Sequence, residues 1–269
     1  MSSLEKPIVN WFKKNKRDLP WRNTSPWGVM VSEYMLQQTP VNRVLPKWQE
    51  WMERWPTPND LAKATPAQVI TAWGRLGYPR RALRLHAAAQ IIAEDFNNQV
   101  PEDQETLQLL PGIGEYTAAA IAAFAFEQRS LVMDVNIRRL LVRAIDGQEH
   151  PKPAPTAQEK ARRLAILPSK NAHVWAAATM ELGALVCTSK NPSCELCPII
   201  GQCNWRKNGY PKLSSLENRR IGMAPIANAG EQLFKHYARM NHLQNLPLRS
   251  CGPMNLRSKR RLKHYLQTN

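Results

Sequence analysis

A chain of 269 residues, 43% hydrophobic and 22% charged, can form one large or two small domains with buried cores. No run approaches the ~18 uninterrupted apolar residues of a membrane helix, and Met1–Asn10 lacks a signal-peptide apolar core, so a cytosolic protein without membrane contact is expected (nucleoid-associated if bacterial). Lys and Arg number 37 against 21 Asp and Glu, a net charge of +16, and such an excess fits a nucleic-acid partner, because each neutralised phosphate releases counterions.

Along the chain the apolar spacing predicts helices and no useful strand alternation. Ser2–Lys16 places Ile8, Trp11 and Phe12 at near-helical spacing, and Trp27–Trp48 runs helical after a proline-containing entry. Asn59–Gly74 holds short helical stretches with a restart at Pro66. Arg80–Phe96 reads as an amphipathic helix begun by Arg80, Arg81 and Arg84, with Leu83, His86, Ala87 and Ile91 on one face. Helices are also expected at Glu105–Leu110, Glu115–Phe126, Val135–Ala144, Thr156–Leu167 and Ala172–Val186, with a proline-rich loop at Gln148–Pro155. Residues 205–269 carry 13 Lys/Arg against two Asp/Glu, and from Pro211 onward the chain reads as a basic appendage with one further helix at Gly230–Met240.

Leu110-Pro111-Gly112-Ile113-Gly114 separates two helical patterns. Pro111 stops the first. Gly112 and Gly114 permit positive φ and leave the backbone bare, and the next helix would start with exposed N–H groups, a place for an anion such as a DNA phosphate. A plain turn satisfies the same residues. The small residues of Thr117–Ala123 allow close helix packing.

Cys187, Cys194, Cys197 and Cys203 follow the spacing C-x6-C-x2-C-x5-C, apart from a fifth cysteine, Cys251. In a reducing compartment four thiols this close indicate metal sooner than disulfides. Tetrahedral zinc and a [4Fe–4S] cluster both fit the spacing. Lys190 and Arg206 would give such a loop a basic rim.

Two acids sit in apolar surroundings. Glu33 lies within Val31-Ser-Glu-Tyr-Met-Leu36, where burial would raise its pKa and suit it to donate a proton; a solvated helix face is the alternative. Asp134 follows Leu131-Val-Met133 and is either an N-cap or a functional carboxylate. Glycosidic-bond hydrolysis uses one acid on the leaving group and one carboxylate near an oxocarbenium-like carbon.

The glycine hairpin, Asp134 and the cysteine spacing together resemble the helix-hairpin-helix glycosylases of the endonuclease III type. Within them the closer resemblance is to MutY-type adenine DNA glycosylases. It rests on Leu19-Pro-Trp-Arg22, Val31-Ser-Glu-Tyr-Met-Leu-Gln-Gln-Thr39, Trp73-Gly-Arg-Leu-Gly-Tyr78 and Glu181-Leu-Gly-Ala-Leu-Val-Cys187. It spans about Lys6 to Lys212. The resemblance implies an all-α fold: an N-terminal segment (1–22) packed with the cluster domain, a six-helix domain with the hairpin (23–134), a [4Fe–4S] domain (135–212) and the basic appendage (213–269). It implies a monomer acting on double-stranded DNA with mispaired adenine.

Residue by residue, the resemblance makes Glu33 the catalytic acid and Asp134 the carboxylate that stabilises the sugar cation. Tyr116 becomes the active-site tyrosine and Asn136 the support for the carboxylates. Gln38 and Tyr78 become wedges near the opposite base, Glu181 a residue near the extruded adenine, Arg22, Gly112 and Gly114 DNA contacts, and the four cysteines the cluster ligands. Tyr116 stands where lyase relatives carry a nucleophilic lysine, which implies a glycosylase without strand cleavage. Val135 replaces the family's usual glycine and fits poorly wherever positive φ is required, and Pro79 replaces a second tyrosine. Fifty-seven residues follow Lys212, too few for the Nudix-related domain that helps the family read 8-oxoguanine. The competing readings are a mismatch glycosylase for thymine or uracil opposite guanine, and a non-catalytic iron–sulfur DNA-binding module.

Overall fold

The computed structural model describes residues 3–211, and the sequence-based expectations for 213–269, including the helix at Gly230–Met240, lie outside the described residues. Among the described residues every regular element is a helix or helical turn, as the apolar spacing predicts. None of these helices is long and apolar enough to cross a membrane.

The elements run α1 (Glu5–Asn15), α2 (Pro26–Leu36), α3 (Val41–Arg54), α4 (Pro58–Ala62), α5 (Pro66–Trp73), α6 (Arg80–Asp95), α7 (Gln104–Leu109), α8 (Glu115–Phe126), α9 (Val135–Leu141), α10 (Ala157–Ile166), α11 (Ala172–Leu185) and α12 (Asn204–Lys207). Local chemistry sets many starts. Pro26 opens α2 behind Ser25, whose hydroxyl accepts from the Gly28 N–H, and Thr57 and Thr65 build capping boxes ahead of Pro58 and Pro66. The single helix expected over Trp27–Trp48 is two: Gln38 turns left-handed at φ 54° and Pro40 has no N–H to continue the ladder.

Two hydrophobic cores form among the described residues. The first gathers Trp27, Met30, Tyr34, Trp48, Trp51, Trp73, Leu85, Ile92 and Leu107, with Trp51 meeting Trp55 and Trp73 edge-on at 4.9 and 5.4 Å. The second gathers Leu4, Ile8 and Phe12 of the N-terminal segment with Ile137, Leu141, Trp175, Leu182 and Val186. Helix α8 is the shared wall: Ala118 and Ile121 face the first core, Ala120 and Ala123 the second. A helix buried on all sides must be apolar all round, which explains the run of alanines.

The buried face of α6 differs from the expected one. Ala82, Leu85, Ala89 and Ile92 are fully buried, while Leu83, Ala87 and Ile91 are only partly so. This rotation carries Arg81 inward to 7% exposure.

Candidate active site

Glu33 lies on α2, in a stretch where every residue from Trp27 to Met35 is buried. Tyr116, on the first turn of α8, donates its hydroxyl to Glu33 Oε2 at 3.3 Å. Burial, and then the negative charge of Asp134, push the Glu33 carboxyl up to about 7, against the Tyr116 hydrogen bond. The Tyr116 phenol is itself raised well above its ordinary value by burial and by both carboxylates, so it keeps its proton and can donate.

Asp134 is the N-cap of α9: its Oδ1 accepts from the Asn136 N–H at 2.6 Å and the Ile137 N–H at 3.3 Å. The capping role and the proximity to Glu33 coexist, because the cap aligns one carboxylate oxygen with the helix N–H groups. Val135 is the first residue of α9, 60% exposed and not at positive φ. The conflict expected from a β-branched residue there does not arise.

Asn136 supports this cap through its backbone, and its side-chain carbonyl accepts from Arg139 Nη2 at 2.8 Å. Arg139 also donates to the carbonyls of Gly183 (2.6 Å) and Cys187 (2.7 Å), joining α9 to the end of α11. At Gly183 a β-carbon would stand 2.5 Å from the Asn136 carbonyl oxygen, so α11 can approach α9 this closely only with glycine there.

In the hairpin, Gly112 has φ +87°, and a β-carbon on it would meet Tyr34 at 2.9 Å and Arg84 at 3.0 Å. Gly114 departs from expectation: at φ −98° and ψ −178° it is extended backbone open to any residue, with no atom near a β-carbon placed on it. Tyr34, next to Glu33, donates its hydroxyl to the Pro111 carbonyl and so ties α2 to the hairpin. Nothing in its sequence context marks that latch.

Gln38 and Tyr78 are both exposed, Tyr78 to 65%, and both sit in the left-handed region at φ 54° and 48°. Glu181, expected near the extruded adenine, and Arg22, expected as a DNA contact, form an ion pair with each other. Glu181 is 1% exposed. Its oxygens accept from Arg17 Nε and Nη2 at 3.0 and 2.7 Å and from Arg22 Nη2 at 2.9 Å, holding its pKa below the ordinary carboxylate range despite burial. A carboxylate that deep needs cationic partners, and the pair fastens the segment after α1 to α11. Nothing in the sequence marks Arg17 among the many basic residues.

All four cysteines of the C-x6-C-x2-C-x5-C spacing are free thiols and line one cavity with Leu140, Val186, Ile199 and Trp205. Burial raises the thiol pKa values of Cys187, Cys194 and Cys197, the last to about 11, so thiolates here need a cation to form. Arg143, 1% exposed, donates to Cys187 Sγ at 3.5 Å and to the Thr188 carbonyl at 2.7 Å. It stacks 4.6 Å over the Trp205 ring. Lys190 and Arg206 are exposed, as a basic rim requires. Among the described residues no three His, Cys, Asp or Glu are arranged to hold one metal ion. Four thiols lining one cavity are a donor set that suits either tetrahedral zinc or a [4Fe–4S] cluster.

Residues 31–165 match the model of the HhH-GPD superfamily of base excision DNA repair proteins. Over 207 residues the chain is 50% identical to the adenine DNA glycosylase of Mycobacterium tuberculosis, covering 76% of this chain and 68% of that one. Its fold is similar to that of a thermostable thymine-DNA glycosylase, with a TM-score of 0.70 at 22% identity over 76% of this chain and 94% of the other. Endonuclease III from a non-covalent DNA complex aligns with a TM-score of 0.65 at 19% identity, over 77% and 95%. At these identities the solved structures speak for the fold alone.

Proposed function

This chain belongs to the HhH-GPD superfamily of base excision DNA repair proteins and is a DNA glycosylase; we propose that the base it removes is adenine mispaired with 8-oxoguanine or guanine in duplex DNA. The observation that carries the reading is the buried Glu33, hydrogen-bonded to Tyr116 and lifted to about 7 by burial and Asp134. A carboxyl held there is protonated often enough at neutral pH to deliver a proton and ionises readily afterwards. Protonating the departing purine on its ring nitrogen weakens the glycosidic bond. Asp134, fixed by the cap, faces the cation that develops on the sugar. Water completes the hydrolysis at the anomeric carbon.

Tyr116 has no amine, so no Schiff base with the sugar forms there and the strand stays intact. The hairpin N–H groups and the basic surface grip phosphate, and Gln38 and Tyr78 enter the duplex as the adenine is extruded. Cys187, Cys194, Cys197 and Cys203 would hold a [4Fe–4S] cluster, which when bound supplies a tie among four positions of one loop. Single-turnover excision on A:8-oxoguanine, A:G, T:G and U:G duplexes tests the reading. Adenine release without borohydride-trapped protein–DNA complex is expected, and faster release of thymine or uracil would replace the proposed substrate.

A further inference from the structure

Arg81 makes more side-chain hydrogen bonds than any role in starting a helix requires. Its Nη1 donates to the carbonyls of Tyr34 (3.0 Å), Met35 (3.1 Å) and Gln37. Its Nη2 donates to Thr39 Oγ1 (2.9 Å) and to the carbonyls of Leu76 (3.2 Å) and Gly77 (3.1 Å). Thr39 Oγ1 in turn donates to the Leu76 carbonyl at 3.2 Å. One guanidinium therefore spans two turns, with Thr39 and Leu76 37 residues apart in sequence: the one just after α2, which carries Gln38, and the one before α6, which carries Tyr78.

Each loop bends through a non-glycine residue in the left-handed region, Gln38 at φ 54° and Tyr78 at φ 48°. Such conformations persist where the surroundings over-determine them. Here the carbonyls immediately before both residues, those of Gln37 and Gly77, are bound by the same side chain. The guanidinium also lies 5.7 Å from the Tyr78 ring centre, while the Tyr78 side chain itself stays mostly exposed. A planar fork with fixed donors can hold both backbones at once; a lysine ammonium, a point charge on a flexible stem, cannot.

We propose that Arg81 is a positioning residue that sets Gln38 and Tyr78 side by side for insertion into the duplex, and so governs base extrusion rather than bond cleavage. The proposal rests on the glycosylase reading above. None of these bonds reaches Glu33 or Tyr116; two go to α2 backbone carbonyls and the rest to the two loops, and comparing paired with abasic-opposed substrates separates these contributions.

The test uses the full chain with Arg81→Lys and with the milder Thr39→Val, which removes the hydroxyl that accepts from Arg81 and donates to the Leu76 carbonyl. Three readouts are compared: single-turnover excision from a paired A:8-oxoguanine duplex, excision of adenine opposite an abasic site, where unpairing is already largely done, and the fluorescence rise of 2-aminopurine placed in the adenine position. Arg81→Lys should slow excision from the paired duplex by at least about tenfold, the effect of one charge-assisted hydrogen bond, and weaken the fluorescence rise. The loss opposite the abasic site should be several-fold smaller, and Thr39→Val should follow in the same direction. Equal losses on both substrates, or none, overturn the proposal, and if Arg81→Lys does not fold, Thr39→Val decides by the same comparison. Wild-type protein that releases no adenine from either substrate would sink the underlying reading instead.

Discussion

Replacing Glu33 with glutamine should stabilise the protein and abolish its chemistry, and both effects should follow one titration. In the fold the carboxyl titrates at about 7 against an ordinary 4.5, a difference that costs roughly 3 kcal/mol at 1.36 kcal/mol per unit. The sign follows from the raised value. Below 4.5 both the folded and unfolded chains hold the proton and Glu33 imposes no penalty. As pH rises toward 7 the unfolded chain releases its proton first, and above 7 the native state bears the whole cost of a buried carboxylate. Glu33→Gln carries no such charge, so its advantage should be near zero at pH 4.5, grow through neutrality and level off by pH 8 at roughly 3 kcal/mol. For a folded region of about 200 residues that corresponds to about 6–12 °C in Tm. Urea unfolding of wild type and variant at matched pH measures it. Excision should fall by about two to four orders of magnitude in the variant, and in the wild type should decline as pH rises through 7. A stability difference that is flat with pH, or excision that persists in Glu33→Gln, would refute the buried-acid argument.

Asp134→Asn separates capping from catalysis, since asparagine is as good an N-cap as aspartate: melting should change little, single-turnover excision should collapse, and the Glu33 midpoint should move down once the Asp134 charge is gone. Gly183→Ala drives a methyl onto the Asn136 backbone, so about 1–3 kcal/mol of destabilisation should come with slower excision, measured by unfolding and single-turnover assays together. Cys197→Ser should lose the yellow-brown visible absorbance of anaerobically purified protein while Cys251→Ser keeps it, and a colourless wild type containing one zinc would reassign the site. Glu181→Gln leaves Arg17 and Arg22 without their charge partner and should cost on the order of 2 kcal/mol at neutral pH, with the loss shrinking as the wild type is taken to acid pH.

Much of the helical layout was legible from spacing, because each amphipathic stretch carries its own apolar period and its own stop. Pro26, Pro58 and Pro66 mark helix starts as local chemistry does anywhere, and the cysteine spacing singles out four thiols that the fold sets around one cavity. The pairing of Glu33 with Asp134 was legible only through the family resemblance, not from local pattern. One rides on α2 and the other caps α9, and packing around α8 brings both carboxylates into electrostatic reach of Tyr116. The arginines were the least readable. Arg81 stands beside the exposed Arg80 in the sequence, and nothing local tells which of the two turns inward. Arg17 looks like another solvated cation until Glu181 arrives from α11. Residue type and period decide a helix within a few turns of chain; the partner of a buried charge is chosen by packing, which assembles groups far apart in sequence and leaves no local mark on either one.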